Sequence, residues 1–251
     1  MSFSLENKVA LVTGSSKGLG KAINKRFAEA GAKVVVNYCH SECTAQETYD
    51  ELVAMGAEAL MIRADVTDEA QVNEMVAEIE EKLGPIDILI PNATPDQPQK
   101  PIEEYSWDDY MSMINFFIKS PYLLTKAVLP SMKKRKKGRV ISIASEVYEK
   151  SVGNFSTYVS AKGAQLGWTR SMATELAPWS ITVNSVCPGW IPVERHEKDP
   201  QDIKDAYLSG IPLQRWGRPQ DVASTIHFLA SDDASFITGE NIMVSGGNSH
   251  F

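Results

Sequence analysis

Cysteine and histidine are scarce in this chain of 251 residues, which has three of the first and four of the second. The cysteines, Cys39, Cys43 and Cys187, cannot all pair as disulfides, so we expect a reducing compartment, the cytoplasm. The histidines are scattered, and none stands at the spacing of a metal-binding pair. We therefore expect no metal site.

Long apolar runs and an excess of positive charge are also missing. No run approaches the roughly 20 apolar residues of a membrane-spanning helix, and residues 1–6 lack the basic and apolar stretches of a signal peptide. The 32 Asp and Glu residues outnumber the 25 Lys and Arg residues, which gives a net charge of −7. These features argue against a membrane or a nucleic acid as the main partner.

Short apolar runs alternate with longer segments of helical pattern along the whole chain. This alternation predicts one α/β domain over residues 1–251, with a parallel sheet covered by helices on both faces. The predicted strands are 8–13, 33–37, 59–63, 86–90, 139–144, 181–186 and 241–244. The predicted helices are 18–30, 44–55, 68–83, 107–136 (with a break near Pro121), 155–177 and 218–230.

A cluster of glycines stands between the first predicted strand and the first predicted helix. Glycine permits a tight turn and a close approach of a ligand, and a helix N-terminus offers free N–H groups to phosphate oxygens. We therefore expect the diphosphate of a dinucleotide to bind here, although a plain strand-to-helix turn is the alternative. The residues of this turn expected to contact the cofactor are Gly14, Ser16, Lys17, Gly18, Leu19 and Gly20.

The end of the second predicted strand indicates which dinucleotide binds. NAD sites carry a carboxylate at this position for the ribose hydroxyls. This chain has Asn37 there and no acid before Glu42. An amide accommodates a 2′-phosphate that a carboxylate would repel, and Lys17 adds a positive charge nearby. The sequence therefore predicts NADP(H) in preference to NAD(H).

The ends of the third and fourth predicted strands supply further cofactor contacts. Asp65 and Val66 follow the third strand, where we expect them to meet the adenine. Asn92, Ala93 and Thr94 follow the fourth strand, where we expect them to pack beside the cofactor.

Tyr158 and Lys162 are four residues apart in the predicted helix 155–177, which places their side chains on one face. A nearby ammonium favours the phenolate and lowers the pKa of a tyrosine from its usual value of about 10. Tyr158 could then exchange a proton while Ser145 holds a carbonyl oxygen. A half-buried tyrosine beside a solvated lysine is the alternative.

Taken together, these motifs resemble the short-chain dehydrogenase/reductase family along the whole chain. The C-terminal motifs look like those of its 3-oxoacyl-carrier-protein reductase and glucose dehydrogenase branch. The matching motifs are Thr13-Gly14-x3-Gly18-x-Gly20, Asp65-Val66, Asn92-Ala93, Ser145, Tyr158-x3-Lys162, Asn184, Pro188-Gly189 and the segments 215–219, 228–231, 238–239 and 246–247.

The resemblance implies a Rossmann-type, doubly wound parallel sheet of about seven strands in the order 3-2-1-4-5-6-7. It also implies three catalytic roles. Ser145 would hold the substrate oxygen, and Tyr158 would be the acid or base. Lys162 would bind the nicotinamide ribose and lower the pKa of Tyr158.

The same resemblance implies that Pro188, Gly189 and Ile191 flank the nicotinamide, and that residues 188–213 form a lid over the substrate. It further implies a homo-oligomer, a tetramer or a dimer, built through the long helices and the last strand. We expect an apolar stripe at residues 166–176 to serve as such a surface.

Four positions depart from the family pattern. Thr94 replaces a glycine, Val193 replaces a threonine and Ser245 replaces an aspartate. Phe117 stands where the family has an asparagine that relays a proton to the lysine. Asn115 lies two residues away, about 200° round a helix, and is therefore left out of the predicted site.

We therefore expect an NADP(H)-dependent oxidoreductase that interconverts a carbonyl and a secondary alcohol on a small-molecule substrate. A sugar, a polyol, a ketone and an acyl thioester all stay open as substrates. The departures leave a second hypothesis, a non-catalytic dinucleotide-binding sensor or scaffold of the same fold.

Overall fold

The computed structural model describes residues 3–250, and in this range seven β-strands form one parallel sheet. They are β1 (Val9–Val12), β2 (Lys33–Tyr38), β3 (Ala59–Arg63), β4 (Ile86–Ile90), β5 (Gly138–Ile143), β6 (Ile181–Pro188) and β7 (Asn241–Val244). Their order is β3-β2-β1-β4-β5-β6-β7, which confirms the predicted fold class and strand order. All neighbouring strands are parallel, since helical crossovers connect them.

Helices cover both faces of the sheet. Within residues 3–250 the α-helices are α1 (Gly18–Glu29), α2 (Glu42–Ala54), α3 (Glu69–Lys82), α4 (Trp107–Ile114), α5 (Ser120–Arg135), α6 (Val147–Lys150), α7 (Ser156–Leu176), α8 (Gln201–Ser209) and α9 (Pro219–Ala230). Short 3-10 turns occur at Ile102–Glu104, Ala177–Trp179, Glu194–His196 and Asp232–Ala234. Among the helices of this range, none combines the length and the apolar character that a membrane crossing requires.

The inner strand β1 shows why such strands read as continuous apolar runs. Successive side chains of a strand point to opposite faces of the sheet. Ala10 and Val12 are buried in the core beneath α1 and α9, whereas Val9 and Leu11 are buried in the core beneath α3 and α5. Because both faces are covered, the strand has no polar side.

The long helix predicted at 107–136 is interrupted shortly before Pro121. The helix α4 ends at Ile114, and a π-helical segment, Asn115–Lys119, precedes α5. Pro121 lies in the first turn of α5, where a missing N–H costs no hydrogen bond. The irregularity therefore lies near Pro121, as predicted, but it is a π-helical segment that ends at Lys119 and not a break made by the proline itself.

The apolar stripe expected at 166–176 does not form a free surface. Leu166 and Leu176 are 6% and 0% exposed and pack into the core of the same chain. The solvent-facing side of α7 carries small and polar residues instead, among them Ala164, Gly167 and Ser171. The expectation of an apolar oligomer surface at this stripe is therefore wrong, because these leucines are already buried in the core of their own chain.

Gly20 allows α1 to lie close to the ends of β1 and β4. A Cβ atom at this position would stand 2.7 Å from Nδ2 of Asn92 and 2.7 Å from the carbonyl oxygen of Gly14. These distances are shorter than any real contact of a Cβ atom. Helix and sheet can therefore pack at this distance only around a glycine.

We predict that Gly20→Ala lowers the free energy of unfolding by about 1–3 kcal/mol, because the added methyl group overpacks this contact. The matched control is Gly153→Ala, where an added Cβ meets nothing within 4 Å among the described residues. Gly153 lies in an exposed turn, so this change should alter stability by no more than about 1 kcal/mol. Urea unfolding of both variants is the measurement, and equal effects would contradict the packing argument.

Candidate active site

The predicted site residues converge at one edge of the sheet, where the parallel strands end. Turns that follow β1, β4, β5 and β6 meet there, and α1 and α7 both begin beside it. Open α/β sheets bind their ligands in the crevice at this edge.

The glycine turn after β1 has backbone geometry that other residues avoid. Gly14 and Gly18 have φ angles of +60° and +57°. A Cβ atom at Gly14 would lie 2.8 Å from Cα of Ala93, so the turn after β4 packs directly against this backbone. The turn is therefore a tight cradle, and at its two glycines the backbone is bare.

The first turn of α1 is free to receive an anion. Lys17 caps the helix without any side-chain hydrogen bond, and no acidic residue occupies the first turn. The first N–H groups of a helix have no partner within the helix, and the helix dipole favours negative charge beside them. The bare cradle and the uncapped helix both fit the diphosphate of a dinucleotide.

Asn92 and Ala93 are fixed by Thr13, the last residue before the glycine turn. The hydroxyl oxygen of Thr13 accepts hydrogen bonds from the N–H groups of Asn92 and Ala93 at 3.0 and 3.1 Å. The Asn92 amide in turn donates to the carbonyl oxygens of Thr13 and Gly14 at 2.8 and 3.2 Å. These bonds join the ends of β1 and β4 into one rigid floor.

Asn37 does not lie where the sequence argument placed it. Its side chain is 1% exposed; the amide oxygen accepts from Gly14 N–H at 3.0 Å, and the amide nitrogen donates to the carbonyl oxygen of Ala64 at 3.2 Å. The strand β2 continues to Tyr38, so Asn37 lies inside the sheet. Asn37 therefore braces the glycine turn, and the expectation that its amide faces a 2′-phosphate is corrected.

Arg63 is a cation beside the end of β2 that sequence reasoning missed. It closes the neighbouring strand β3, and its Nε donates to the carbonyl oxygen of Cys39 at 3.1 Å. The exposed end of β2 therefore has a guanidinium group at its side. No spacing in the sequence joins the two positions, because the contact depends on strand pairing.

The residues after β3 and β4 form ordered turns. Asp65 accepts hydrogen bonds from the N–H and hydroxyl of Thr67 at 2.8 and 2.7 Å, and Val66 is buried. Thr94 is exposed, and its hydroxyl accepts from the side-chain amide of Gln97 at 2.6 Å. These turns present their residues at the same edge as the glycine cradle.

Tyr158 and Lys162 lie on the buried face of α7, 8% and 2% exposed. The ammonium of Lys162 donates to the carbonyl oxygen of Ile143, the last residue of β5, at 2.5 Å and to Oε1 of Gln165 at 3.1 Å. Ser145 follows two residues after Ile143. The three predicted catalytic side chains therefore meet where β5 ends against α7.

Burial dominates the protonation of this pair. It raises the pKa of Tyr158, while the neighbouring Ser145 hydroxyl lowers it by a smaller amount. Burial also moves the pKa of Lys162 well below its usual value. The sequence argument expected the lysine to lower the pKa of Tyr158 below 10; in the protein alone the net shift is upward, because desolvation outweighs the neighbouring groups.

Two phenylalanines surround the tyrosine. Phe117 packs edge to face on the Tyr158 ring, with the two ring centroids 5.3 Å apart. The Phe155 ring is tilted relative to the Tyr158 ring, and their centroids are 4.8 Å apart. The Lys162 Nζ stands 3.7 Å from the centroid of the Phe117 ring. Phe117, expected only as a departure from the family pattern, is thus part of the site.

The segment after β6 crosses this edge. Gly189 donates its N–H to the carbonyl oxygen of Val244, and a Cβ atom there would lie 2.7 Å from the Tyr207 hydroxyl. Ile191 is buried against Gly217. The strand β6 ends at Pro188. The three residues predicted to contact the cofactor here, Pro188, Gly189 and Ile191, therefore lie where the chain leaves β6 and crosses the mouth of the crevice.

A cavity of about 660 Å³ opens between the start of α1 and this segment. Gly18, Trp190, Val193 and Glu194 are among the residues that line it, and the Tyr158 side chain is not. The cavity therefore adjoins the glycine turn and lies apart from the buried tyrosine.

A buried carboxylate, also missed from the sequence, ties this segment to Ser145. Glu146 is 3% exposed and accepts hydrogen bonds from the hydroxyls of Tyr207 in α8 and of Ser249, the latter at 2.9 Å. The Tyr207 oxygen accepts from Trp190 N–H at 2.6 Å. We call Glu146, Trp190, Tyr207 and Ser249 the Glu146 cluster. Its members are far apart in the chain, so only the folded structure reveals it.

We predict that Tyr207→Phe lowers the free energy of unfolding by about 1–3 kcal/mol, because it leaves the buried Glu146 carboxylate one donor short. Hydrogen exchange in α8 should become faster at the same time. Tyr122→Phe is the matched control, since that tyrosine is 50% exposed. Unchanged exchange in α8 of the Tyr207 variant would contradict the tie between α8 and Glu146.

Comparisons with known proteins agree with this geometry. A family model described as Enoyl-(Acyl carrier protein) reductase matches residues 14–249. The 3-oxoacyl-(acyl-carrier-protein) reductase FabG of Staphylococcus epidermidis is 38% identical over 243 residues, 96% of this chain and 98% of that protein.

Solved structures match as well. A blue fluorescent protein from a metagenomic library, in complex with NADPH, has a TM-score of 0.90 at 33% identity and covers 98% of this chain and 100% of its own. A gluconate 5-dehydrogenase from Burkholderia cenocepacia J2315, in complex with NADP and tartrate, has a TM-score of 0.92 at 30% identity, with 98% and 97% covered. The chain therefore belongs to the short-chain dehydrogenase/reductase family of NAD(P)-dependent oxidoreductases.

Proposed function

We propose that this protein is an NADP(H)-dependent oxidoreductase that interconverts a carbonyl group and a secondary alcohol, with Ser145, Tyr158 and Lys162 as its catalytic residues. The observation that carries the proposal is the meeting of these three side chains at the sheet edge that also holds an uncapped, glycine-lined helix N-terminus. The similar solved structures with NADPH and NADP support the cofactor.

The cofactor would lie along this edge. The uncapped start of α1 would hold its diphosphate, and the turns after β3 and β4 would flank its adenosine half. The residues proposed to contact it are Gly14, Ser16, Lys17, Gly18, Leu19, Gly20, Asp65, Val66, Asn92, Ala93, Thr94, Tyr158, Lys162, Pro188, Gly189 and Ile191. Asn37 would not contact the cofactor and would instead hold the glycine turn in place.

Charge favours NADP(H) over NAD(H). The turn after β2, residues 39–41, has no carboxylate before Glu42. Lys17 is exposed at the start of α1, and Arg63 lies beside the β2–α2 turn. Guanidinium and ammonium groups bind phosphate through charge-assisted hydrogen bonds. The 2′-phosphate would therefore meet cations where an NAD site has an acid.

The protein's own part of the chemistry is proton transfer and polarisation. When bound, the nicotinamide supplies or accepts the hydride. Ser145 would donate a hydrogen bond to the substrate oxygen, and Tyr158 would give that oxygen its proton during reduction. Lys162 would stabilise the phenolate left behind. Because burial raises the pKa of Tyr158, the phenol stays protonated at neutral pH, and reduction should weaken only as the pH rises through that pKa.

Several finer features belong to the same proposal. Residues 188–213 would form the lid of the substrate site, since the Glu146 cluster ties them to the neighbour of Ser145. The small residues on the exposed side of α7 and the edge strand β7 would serve as surfaces of a homotetramer or dimer. The three cysteines are all free, which is in keeping with the cytoplasm.

The first test is Tyr158→Phe. We expect turnover to fall by about a factor of 10³, since a positioned acid or base contributes roughly 10²–10⁴. NADPH affinity should change by less than about threefold. Assays would follow NADPH absorbance over a panel of ketones, sugars and acyl thioesters, with Tyr122→Phe as the matched control.

Survival of turnover in Tyr158→Phe within about threefold of the unaltered protein would contradict this mechanism. If the unaltered protein binds NADPH but turns over no member of the panel, the sensor or scaffold hypothesis gains instead.

The second test removes the charge of Lys17. We predict that Lys17→Met weakens NADPH binding by about tenfold, because one charge-assisted contact to the 2′-phosphate is lost. NADH binding should change by less than about threefold, because NADH lacks that phosphate. Lys82→Met is the control, since Lys82 pairs with Glu78 on the surface of α3. An equal loss for NADPH and NADH would place Lys17 away from the 2′-phosphate.

A further inference from the structure

Phe117 sits at the centre of an unusual piece of helix. The π-helical segment Asn115–Lys119 adds an extra residue to the turn between α4 and α5, and Phe117 is 4% exposed in it. Isolated π-helical turns occur frequently at functional sites, because they re-aim a side chain relative to a regular helix. Here the turn presents an aromatic ring to the α7 residues Tyr158 and Lys162.

The ring contacts both members of the catalytic pair. The Lys162 Nζ lies 3.7 Å from the Phe117 centroid, well within the roughly 6 Å range of a cation–π interaction. The edge-to-face contact with Tyr158 has an interplanar angle of 71°. Asn115, on the same turn, is not among the hydrogen-bond partners of Lys162 in the described residues.

The electrostatics of the buried ammonium give this contact its importance. An ammonium has three N–H donors, and two oxygens, those of Ile143 and Gln165, accept from Lys162. A charge that has lost its water must regain interaction energy inside the protein, or its proton leaves. The negative face of an aromatic ring is a source of that energy.

We propose that Phe117 is a positioning residue whose ring face holds the charged Lys162 ammonium beside the Tyr158 phenol. The proposal extends the proposed function and rests on it for the catalytic roles of Tyr158 and Lys162. Where the family carries an asparagine, this chain would use the quadrupole of a ring to support the same lysine. A hydrophobic filler at 117 would pack equally well and would lack this effect.

The other titratable and charged groups that face the pair are few. The Cys187 thiol of β6 and the Arg195 guanidinium of the segment after β6 act on both Tyr158 and Lys162. Burial raises the pKa of Cys187 to about 12, so the thiol is neutral near pH 7. A substitution at Phe117 leaves both groups in place. A change in the pKa of Lys162 in such a variant can therefore be attributed to the loss of the ring.

The test measures the charge of Lys162 directly. Lysine labelled with a stable carbon isotope at Cε is titrated by NMR in the full-length protein, and Lys162→Met identifies its signal. Phe117→Leu keeps the apolar volume and removes the ring. We expect the pKa of Lys162 to fall by about one unit and turnover to fall about tenfold.

The sign of the shift separates the proposal from simple packing. If the ring only excludes water, its loss admits solvent and raises the pKa of Lys162 toward the usual value. Phe155→Leu is the matched comparison, because Phe155 packs on Tyr158 and, in the described part of the chain, makes no cation–π contact with Lys162. That variant should leave the pKa of Lys162 unchanged or raise it.

Stepwise fluorination of Phe117 supplies a second measurement if Phe117→Leu fails to fold. Fluorine weakens the ring quadrupole with little change of shape, so the pKa of Lys162 should fall with each added fluorine. An unchanged or rising pKa in either series overturns the proposal. The titration does not depend on turnover. If the unaltered protein were inactive, the proposed function would be contradicted, but the effect of Phe117 on the pKa of Lys162 could still be measured.

Discussion

The burial of one positive charge is the constraint on which the site depends. The Lys162 ammonium is 2% exposed, and its pKa lies well below the usual value, chiefly because burial removes its water. The carbonyl oxygen of Ile143, the Gln165 side chain and the Phe117 ring replace the lost water. The site therefore requires β5, α7 and the π-helical turn to keep fixed relative positions.

The parallel sheet supplies that rigidity. Thr13 joins the ends of β1 and β4, Asn37 braces the glycine turn from the next strand, and Glu146 ties α8 to the end of β5. All three are buried polar side chains with protein partners, an arrangement that fixes geometry because each unmade bond would be costly. Hydrogen bonds of polar side chains thus fix the strand ends, where the apolar cores end.

The fold was readable from the sequence because the five inner strands are largely buried on both faces and show as apolar runs. Tyr158 and Lys162 were readable because a four-residue spacing on a helix is local. The role of Asn37, the contact of Arg63 with Cys39 and the Glu146 cluster were not, since they depend on which strands pair and which loops meet. Phe117 read as a missing asparagine, because no local pattern shows that a π-helical turn aims its ring at Lys162.

The most direct test of this account is a crystal structure of the protein with NADP bound. The account predicts that the Lys162 ammonium reaches a ribose hydroxyl of the nicotinamide half while its other side stays against Phe117. It also predicts that the Tyr158 hydroxyl and Ser145 face the nicotinamide ring together. A lysine that cannot reach the ribose, or a Tyr158 hydroxyl turned away from the crevice, would contradict the account.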